Sequence, residues 1–348
     1  MPNVRAESNY PVQIDSGELS ARQTRRDFML AAATGTAVGG GMFGSVARAA
    51  QPESPGDAGN GGSEFPVTFA LNTSTIRGQK LPIDEQVAVV AKAGYDGIEP
   101  WIRDLQEYVD VGGSITELKK KISDSGLSVV SAIGFAKWIV DDDQDRARAL
   151  EQMRSDMELV KAIGGTHIAA PPVGAHKPDS DSPSLTAIAD RYAAVLKLGE
   201  ETGVTPQLEL WGFSKTLSTL GELAYVAAAS NHPDACVLPD FYHIYKGAKD
   251  PKNAFAGLSM IEASKMHCFH INDFPAKPSQ AQIADKDRVF PGDGVCDLKN
   301  IVRGLIDRGF DGSFSLELFN PEYWKRDALE VCKEGLEKCR AVVEQAIG

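Results

Sequence analysis

A (β/α)8 barrel, a single α/β domain over residues 65–348 behind an N-terminal leader, is the fold that this 348-residue sequence predicts. Three observations predict it. Eight short β-rich runs recur at intervals of about 28–47 residues, room for one helix and two loops each. Four of the segments between them carry apolar residues at helical spacing and stop at a glycine just before the next run. No GxGxxG follows the first run, which lowers the rival doubly wound sheet with its dinucleotide site.

Taken in order, residues 1–49 read as an address. Arg25-Arg26 follow Thr24 and precede Asp27, Phe28 and Met29, and an Ala/Gly-rich stretch then ends in Ala47-Arg48-Ala49, a small-x-small cleavage pattern. The segment resembles a twin-arginine export signal cut near Ala49, which implies recognition by the export machinery and a periplasmic or otherwise exported location. Its apolar stretch holds Gly and Ala where an anchor needs Leu or Ile, so stable membrane insertion is not expected. Residues 50–64, AQPESPGDAGNGGSE, have no apolar cluster and read as a flexible linker.

The β-rich runs are Val67–Leu71, Gly97–Pro100, Ser128–Ile133, Thr166–Ala170, Pro206–Leu210, Cys236–Asp240, Met266–Ile271 and Phe314–Leu318. The helical segments are Ile83–Ala93 before Gly94, Ile115–Ser125 before Gly126, Leu150–Ile163 before Gly164-Gly165, and Leu298–Arg308 before Gly309.

Composition narrows function. With 36 Lys+Arg against 48 Asp+Glu the formal charge is −12, which argues against a nucleic-acid or anionic-membrane partner. Five cysteines without a CxxC pair suit neither a zinc ribbon nor a disulfide scaffold.

In such a barrel, chemistry gathers at the C-terminal strand ends. The last four runs end in Glu209 (LELW), Asp240 (LPDFYH), His270 (FHIND) and Glu317 (LELF). Any one strand-end carboxylate is ordinarily a cap or a surface charge. Four consecutive ends would converge above the barrel axis, where three carboxylates repel unless a cation neutralises them. One divalent ion does that. The O,O,O,N donor set suits Mn²⁺, Mg²⁺ or Co²⁺ and admits Zn²⁺.

From Val67 to the C-terminus the chain resembles the xylose-isomerase-like TIM-barrel superfamily of sugar isomerases and epimerases, which includes ketose 3-epimerases and inosose dehydratases. The segments that carry the resemblance are Asp240-x-x-His243, His270-Ile-Asn-Asp273, Arg288 with Pro291-Gly-Asp-Gly294, and Gly309-Phe-Asp-Gly312 leading to Leu316-Glu317. It implies that Glu209, Asp240, His270 and Glu317 are metal ligands, that Glu209 and Glu317 are also the acid/base pair, and that His243 and Arg288 hold substrate oxygens. Glu99, in IEPW at the second strand end, matches a position that lines the pocket. The implied substrate is a small carbohydrate.

Inverting a carbon beside a carbonyl needs a base on each face, and glutamates on the fifth and eighth strands supply one each. Of the aromatics near these loops, Trp101 and Trp211 are the favoured sugar-stacking walls. His176 stands within reach of the site; His167, His232 and His267 have no evident partner and read as structural. The superfamily's apurinic endonucleases hold three zinc ions and need histidines where this chain has Glu99 and Gly134-Phe135. A lyase removing water from a keto-sugar or inosose would use the same ligands. A non-catalytic sugar-binding protein would have no use for the whole quartet. The chain leaves room for a homo-oligomer.

Overall fold

The computed structural model describes residues 65–348, and the expected leader and linker lie outside the described residues. The described chain forms eight strands: β1 Thr68–Asn72, β2 Gly97–Glu99, β3 Ser128–Val129, β4 His167–Ala170, β5 Thr205–Glu209, β6 Val237–Leu238, β7 Cys268–Ile271 and β8 Ser313–Leu316. All strand pairings are parallel, in the orders β3-β2-β1-β8-β7 and β4-β5-β6. Two seams join these arcs. Ala169 N–H donates to Ala132 O (2.8 Å) between β4 and the end of β3, while the bridges Val237↔Met266 and Asp240↔His270 link β6 to β7. The sheet therefore closes into the expected barrel, with no open edge.

Ten helices clothe it: α1 Ile83–Ala93, α2 Ile102–Asp110, α3 Ile115–Asp124, α4 Asp143–Ala162, α5 Leu185–Thr202, α6 Leu220–Ala229, α7 Phe241–Gly247, α8 Leu298–Ile306, α9 Pro321–Trp324 and α10 Ala328–Ile347. α1 shows the logic. Ile83, Val87 and Val90 are buried against the sheet, worth roughly 1.5–3 kcal/mol each, and Gly94 at φ 93° ends the helix. α4 starts earlier than apolar spacing alone indicates because Asp142 caps it, its side chain accepting from Asp145 N–H at 2.8 Å.

The repeat is less regular than one helix per unit. The second unit carries two helices, α2 and α3, and the sixth has only the short α7 followed by 3₁₀ turns at Pro251–Asn253, Ala256–Met260 and Ala263–Lys265. β3 stops at Val129, short of the expected Ile133, which makes only an isolated bridge to Trp101. Among the described residues no helix is long and apolar enough to cross a membrane.

Inside the barrel, Ile133, Ala169, Leu238 and Cys268 pack under Trp101, and Gln207 Nε2 donates to Ser131 Oγ at 3.0 Å. This plug supports what lies above it.

Candidate active site

Side chains alternate along each strand, so the inward residues of β7 are Cys268, His270 and Asn272, and those of β8 are Ser313, Ser315 and Glu317. The uppermost meet the ends of β1, β2, β5 and β6. Asp240 is fully buried, and Glu209 and Glu317 are 4% exposed.

His270 sits at the centre. Its Nε2–H donates to Glu99 Oε2 (3.0 Å), an oxygen that also accepts from Ser315 Oγ (2.7 Å) and Asn72 Nδ2 (3.0 Å). Its Nδ1 lies 3.2 Å from Glu317 Oε2 and 3.6 Å from Asp240 Oδ2, yet is aligned with neither for a hydrogen bond. The buried Nδ1 thus faces two carboxylates without a hydrogen bond to either, while Glu99 holds the ring from behind through Nε2. Donor atoms of Asp240, His270 and Glu317 all lie within 4.8 Å of one another, close enough to share an ion. An orphaned nitrogen beside two carboxylate oxygens fits a divalent cation of the kind the sequence predicts. Glu209 lies outside that group of three but near enough to feel the charges of Asp240 and Glu317.

Arg288, fully buried, is already committed. Its Nη1 donates to Asp240 Oδ2 and Glu317 Oε2, both at 2.8 Å, and its Nη2 to Asp285 Oδ1 (2.6 Å) and His243 Nε2 (3.1 Å). Only Nε lacks a partner. Sequence reasoning casts Arg288 as a substrate clamp; the structure shows it bridging the protein's own carboxylates.

One more expectation is corrected. Glu99 does not line the pocket: it is 0% exposed and stands behind His270. His243 lies on α7, 3% exposed, with its backbone N–H donating to Asp240 Oδ1 at 2.7 Å.

The electrostatics follow from burial set against neighbours. Burial raises Glu209, and the Glu317 and Asp240 carboxylates add to this, overcoming His270, so its pKa is held well above the usual carboxylate range. Burial works the same way on Asp240, but Arg288, His243 and His270 outweigh it and hold that carboxyl well below its ordinary value. His270 would be lowered by burial; Glu317 and Glu99 overcome this and hold it well above the usual imidazole range. His243 goes the other way, pushed down to about 4 chiefly by burial.

Aromatic rings form the mouth. Trp101 meets Phe135 (centroids 5.0 Å apart) and Phe319 (6.0 Å), and Trp211 stacks on Phe213 at 5.5 Å. Trp101 Nε1 donates to Asn72 Oδ1 (2.9 Å), and His176 stands edge-on to Trp211 at 5.3 Å. The turn at Pro291-Gly-Asp-Gly294 is organised by Asp273, which accepts from Phe274, Gly292, Gly294 and Cys296 N–H groups. A Cβ at Gly294 would sit 2.2 Å from Asp273 Oδ1, so that position has no space for a side chain.

Sequence reasoning missed three residues here. Asn72 joins Glu99, Glu317 and Trp101, Ser315 supports Glu99, and Asp285 anchors Arg288. Ser315 was legible as the inward neighbour of Glu317 two residues back. Asn72 and Asp285 carried no periodic signal.

Comparison with known proteins places the fold. The chain is 24% identical to an inosose isomerase of Bacillus velezensis over 76% of its length and 92% of that protein's. It is 23% identical to a fructoselysine 3-epimerase of Escherichia coli O157:H7, covering 72% and 93% respectively. A 3-dehydroshikimate dehydratase of Pseudomonas aeruginosa is 23% identical over 68% of this chain but only 36% of its own. The crystal structure of IolI protein with a bound zinc atom superposes with a TM-score of 0.72 at 23% identity, covering 80% of this chain and 99% of that one. The profile described as xylose isomerase-like TIM barrel matches residues 87–340, and the chain belongs to that family.

Proposed function

We propose that this protein is a divalent-metal-dependent isomerase or epimerase of a non-phosphorylated keto-sugar or related polyol, working by proton transfer. The observation that carries the reading is the convergence of Asp240, Glu317 and the orphaned His270 Nδ1 beside a Glu209 whose pKa is pushed up. Glu209, Asp240, His270 and Glu317 would hold the ion, which when bound neutralises the carboxylates and polarises a substrate carbonyl. The bound zinc of the IolI structure makes Zn²⁺ a candidate beside Mn²⁺, Mg²⁺ and Co²⁺.

The protein's own residues supply the rest. Glu317, paired with Arg288 as a carboxylate, is cast to accept a proton from the carbon beside the carbonyl. Glu209, on the fifth strand, is cast to return one to the opposite face, so that the two carboxyls take different roles. Trp101 and Trp211 wall the sugar and shut out water.

Turnover of a ketose panel in D₂O tests this. The inverted carbon should gain one solvent deuterium, and Glu209→Gln or Glu317→Gln should cut turnover at saturating metal by at least about 100-fold. A product that keeps the substrate's own hydrogen with no deuterium would mean a hydride shift instead. A product one water lighter would make the enzyme a dehydratase, the reading that the 3-dehydroshikimate dehydratase relative favours.

The exported location rests on Thr24-Arg25-Arg26 and the Ala47-Arg48-Ala49 site. Residues 1–60 fused to a folded reporter should carry it to the periplasm, and Arg25→Lys with Arg26→Lys should stop that. Undiminished export would remove the twin-arginine reading.

A further inference from the structure

Arg77 stands at the rim of the same mouth, and no carboxylate of the described residues forms an ion pair with it. It lies in the 3₁₀ segment Thr73–Gln79, which leaves β1 at the functional end of the barrel. Its guanidinium carbon is 5.0 Å from the Trp101 ring centroid, 5.3 Å from Trp324 and 5.8 Å from Phe319. The side chain is half-buried, and among the described residues its guanidinium makes no ion pair and no hydrogen bond. A neighbouring cation, Arg103, also lies over Trp101 (5.4 Å) and is paired with Asp104 and Glu107. Burial, then Arg103, lowers the pKa of Arg77, and the more distant Asp104 and Glu317 carboxylates offset this only in part.

This is not a loose surface arginine. Asn72 caps the segment, accepting from Ser74 N–H at 3.0 Å, and Thr75 Oγ1 donates to Leu316 O at 2.8 Å. Trp324 Nε1 donates to Ser74 O (3.1 Å), and Gln79 Nε2 donates to Tyr323 O (3.0 Å) and Arg326 O (3.1 Å). Gly78 is pressed so closely on Trp324 that an added Cβ would lie 2.1 Å from that residue's own Cβ. The segment on both sides of Arg77 is therefore fastened to β8, α9 and the residues just after it, and the guanidinium is delivered to a fixed place. Phe319 joins it to the centre, since Arg288 lies 5.0 Å from the same ring. Arg288 forms ion pairs with three of the protein's own carboxylates; Arg77 forms an ion pair with none of them.

We infer that Arg77 binds a carboxylate carried by the substrate, so that the site takes an acidic keto-sugar or keto-polyol in preference to a neutral one. This rests on the isomerase reading of the site above. A planar guanidinium meets a carboxylate with two parallel hydrogen bonds, and aromatic walls that exclude water strengthen the pair. One guanidinium matches one negative charge. A phosphate dianion ordinarily gathers several cations or a helix N-terminus, and the neighbouring Arg103 is already paired with its own acids.

The test is binding, measured by calorimetry on the full chain with Mn²⁺ added, for two matched sets: D-glucuronate against D-glucose and D-glucose 6-phosphate, and quinate against myo-inositol. In at least one set the carboxylate should bind about tenfold or more tightly than its neutral counterpart, a difference of about 1.4 kcal/mol. Arg77→Gln should erase that preference by a loss confined to the acids, and Arg77→Lys should keep part of it. Unchanged circular dichroism and melting temperature would show that the variants are folded. Acid and neutral ligands binding alike, or neither binding, would overturn the inference. So would D-glucose 6-phosphate outranking D-glucuronate, or Arg77→Gln weakening acid and neutral ligands equally. The two readings fail separately. Carboxylate preference through Arg77 without metal dependence or deuterium uptake would sink the isomerase reading alone, whereas deuterium uptake into neutral ketoses with Arg77 indifferent would sink this one alone.

Discussion

The two ends of β7 treat the same side chain in opposite ways. His267, just before the strand, packs against His167 at the start of β4, with ring centroids 4.4 Å apart and the planes tilted by 33°. Burial and the facing His267 push His167 down to about 4, and burial with Lys265 lowers His267. Three residues on, His270 is more deeply buried and yet held well above the ordinary imidazole value, because Glu317 and Glu99 overcome the burial. Burial therefore sets only the opening cost of a charge, and neighbours decide the sign of the shift. At the N-terminal end the imidazoles face each other across the barrel; at the C-terminal end the strand-end carboxylates converge. One end is built to stay neutral, the other to hold charge and exchange protons.

The largest test of that contrast is Arg288→Met. It strips a fully buried guanidinium from Asp240, Glu317 and Asp285 and leaves their charges crowded. In metal-free protein, urea unfolding should show a loss of about 3–5 kcal/mol, the usual cost of removing one partner from a buried charge pair. Added divalent ion should restore part of it by binding the folded state. A loss below about 1 kcal/mol would mean that the charged end does not depend on this bridge.

A smaller effect separates the other end. His167 has a folded pKa of about 4 against an ordinary 6.5, so between those values the unfolded chain binds more protons than the folded one. Stability is full above pH 6.5 and falls as pH drops toward 4, by about 1–2 kcal/mol after allowance for the residue's partial exposure. His167→Gln should flatten that slope, seen as melting temperature against pH. An unchanged slope would place the titration elsewhere.

Asp156 on α4 reverses the sign. It has neither a cation partner nor a ring of ligands: Gln106 Nε2 donates to Oδ1 at 3.3 Å, Oδ2 has no partner, and burial raises the pKa to about 7. The folded state here holds the proton more tightly than the unfolded one, so its contribution is intact below about pH 4 and erodes as pH rises toward 7. Asp156→Asn should match the parent near pH 4 and exceed it by about 2–4 kcal/mol above pH 7. A variant less stable than the parent at pH 8 would show that the carboxylate is compensated after all.

Particular residues show how far a linear reading reaches. The alternation FSLEL told Ser315 and Glu317 from Phe314 and Leu316, because strand geometry makes parity local. The FHIND strand end located His270, but the Glu99 that holds its ring through Nε2 is 171 positions away and was read as pocket lining. The role of Arg288 failed for the same reason: Asp240 and Glu317, its partners at 2.8 Å, are 48 and 29 positions distant. The His167–His267 contact was invisible, since nothing local marks residues that meet across a barrel floor.

The sequence by itself determined the eight strands, the glycine stops and the inward strand-end residues, since each depends on contacts within a turn or a pleat. Only the tertiary structure decided which polar groups face one another. It left His270 Nδ1 unpaired, spent Arg288 on the protein's own carboxylates and left Arg77 without one. Charges act through space at a few ångströms, and closing the barrel brings together residues that the chain keeps far apart.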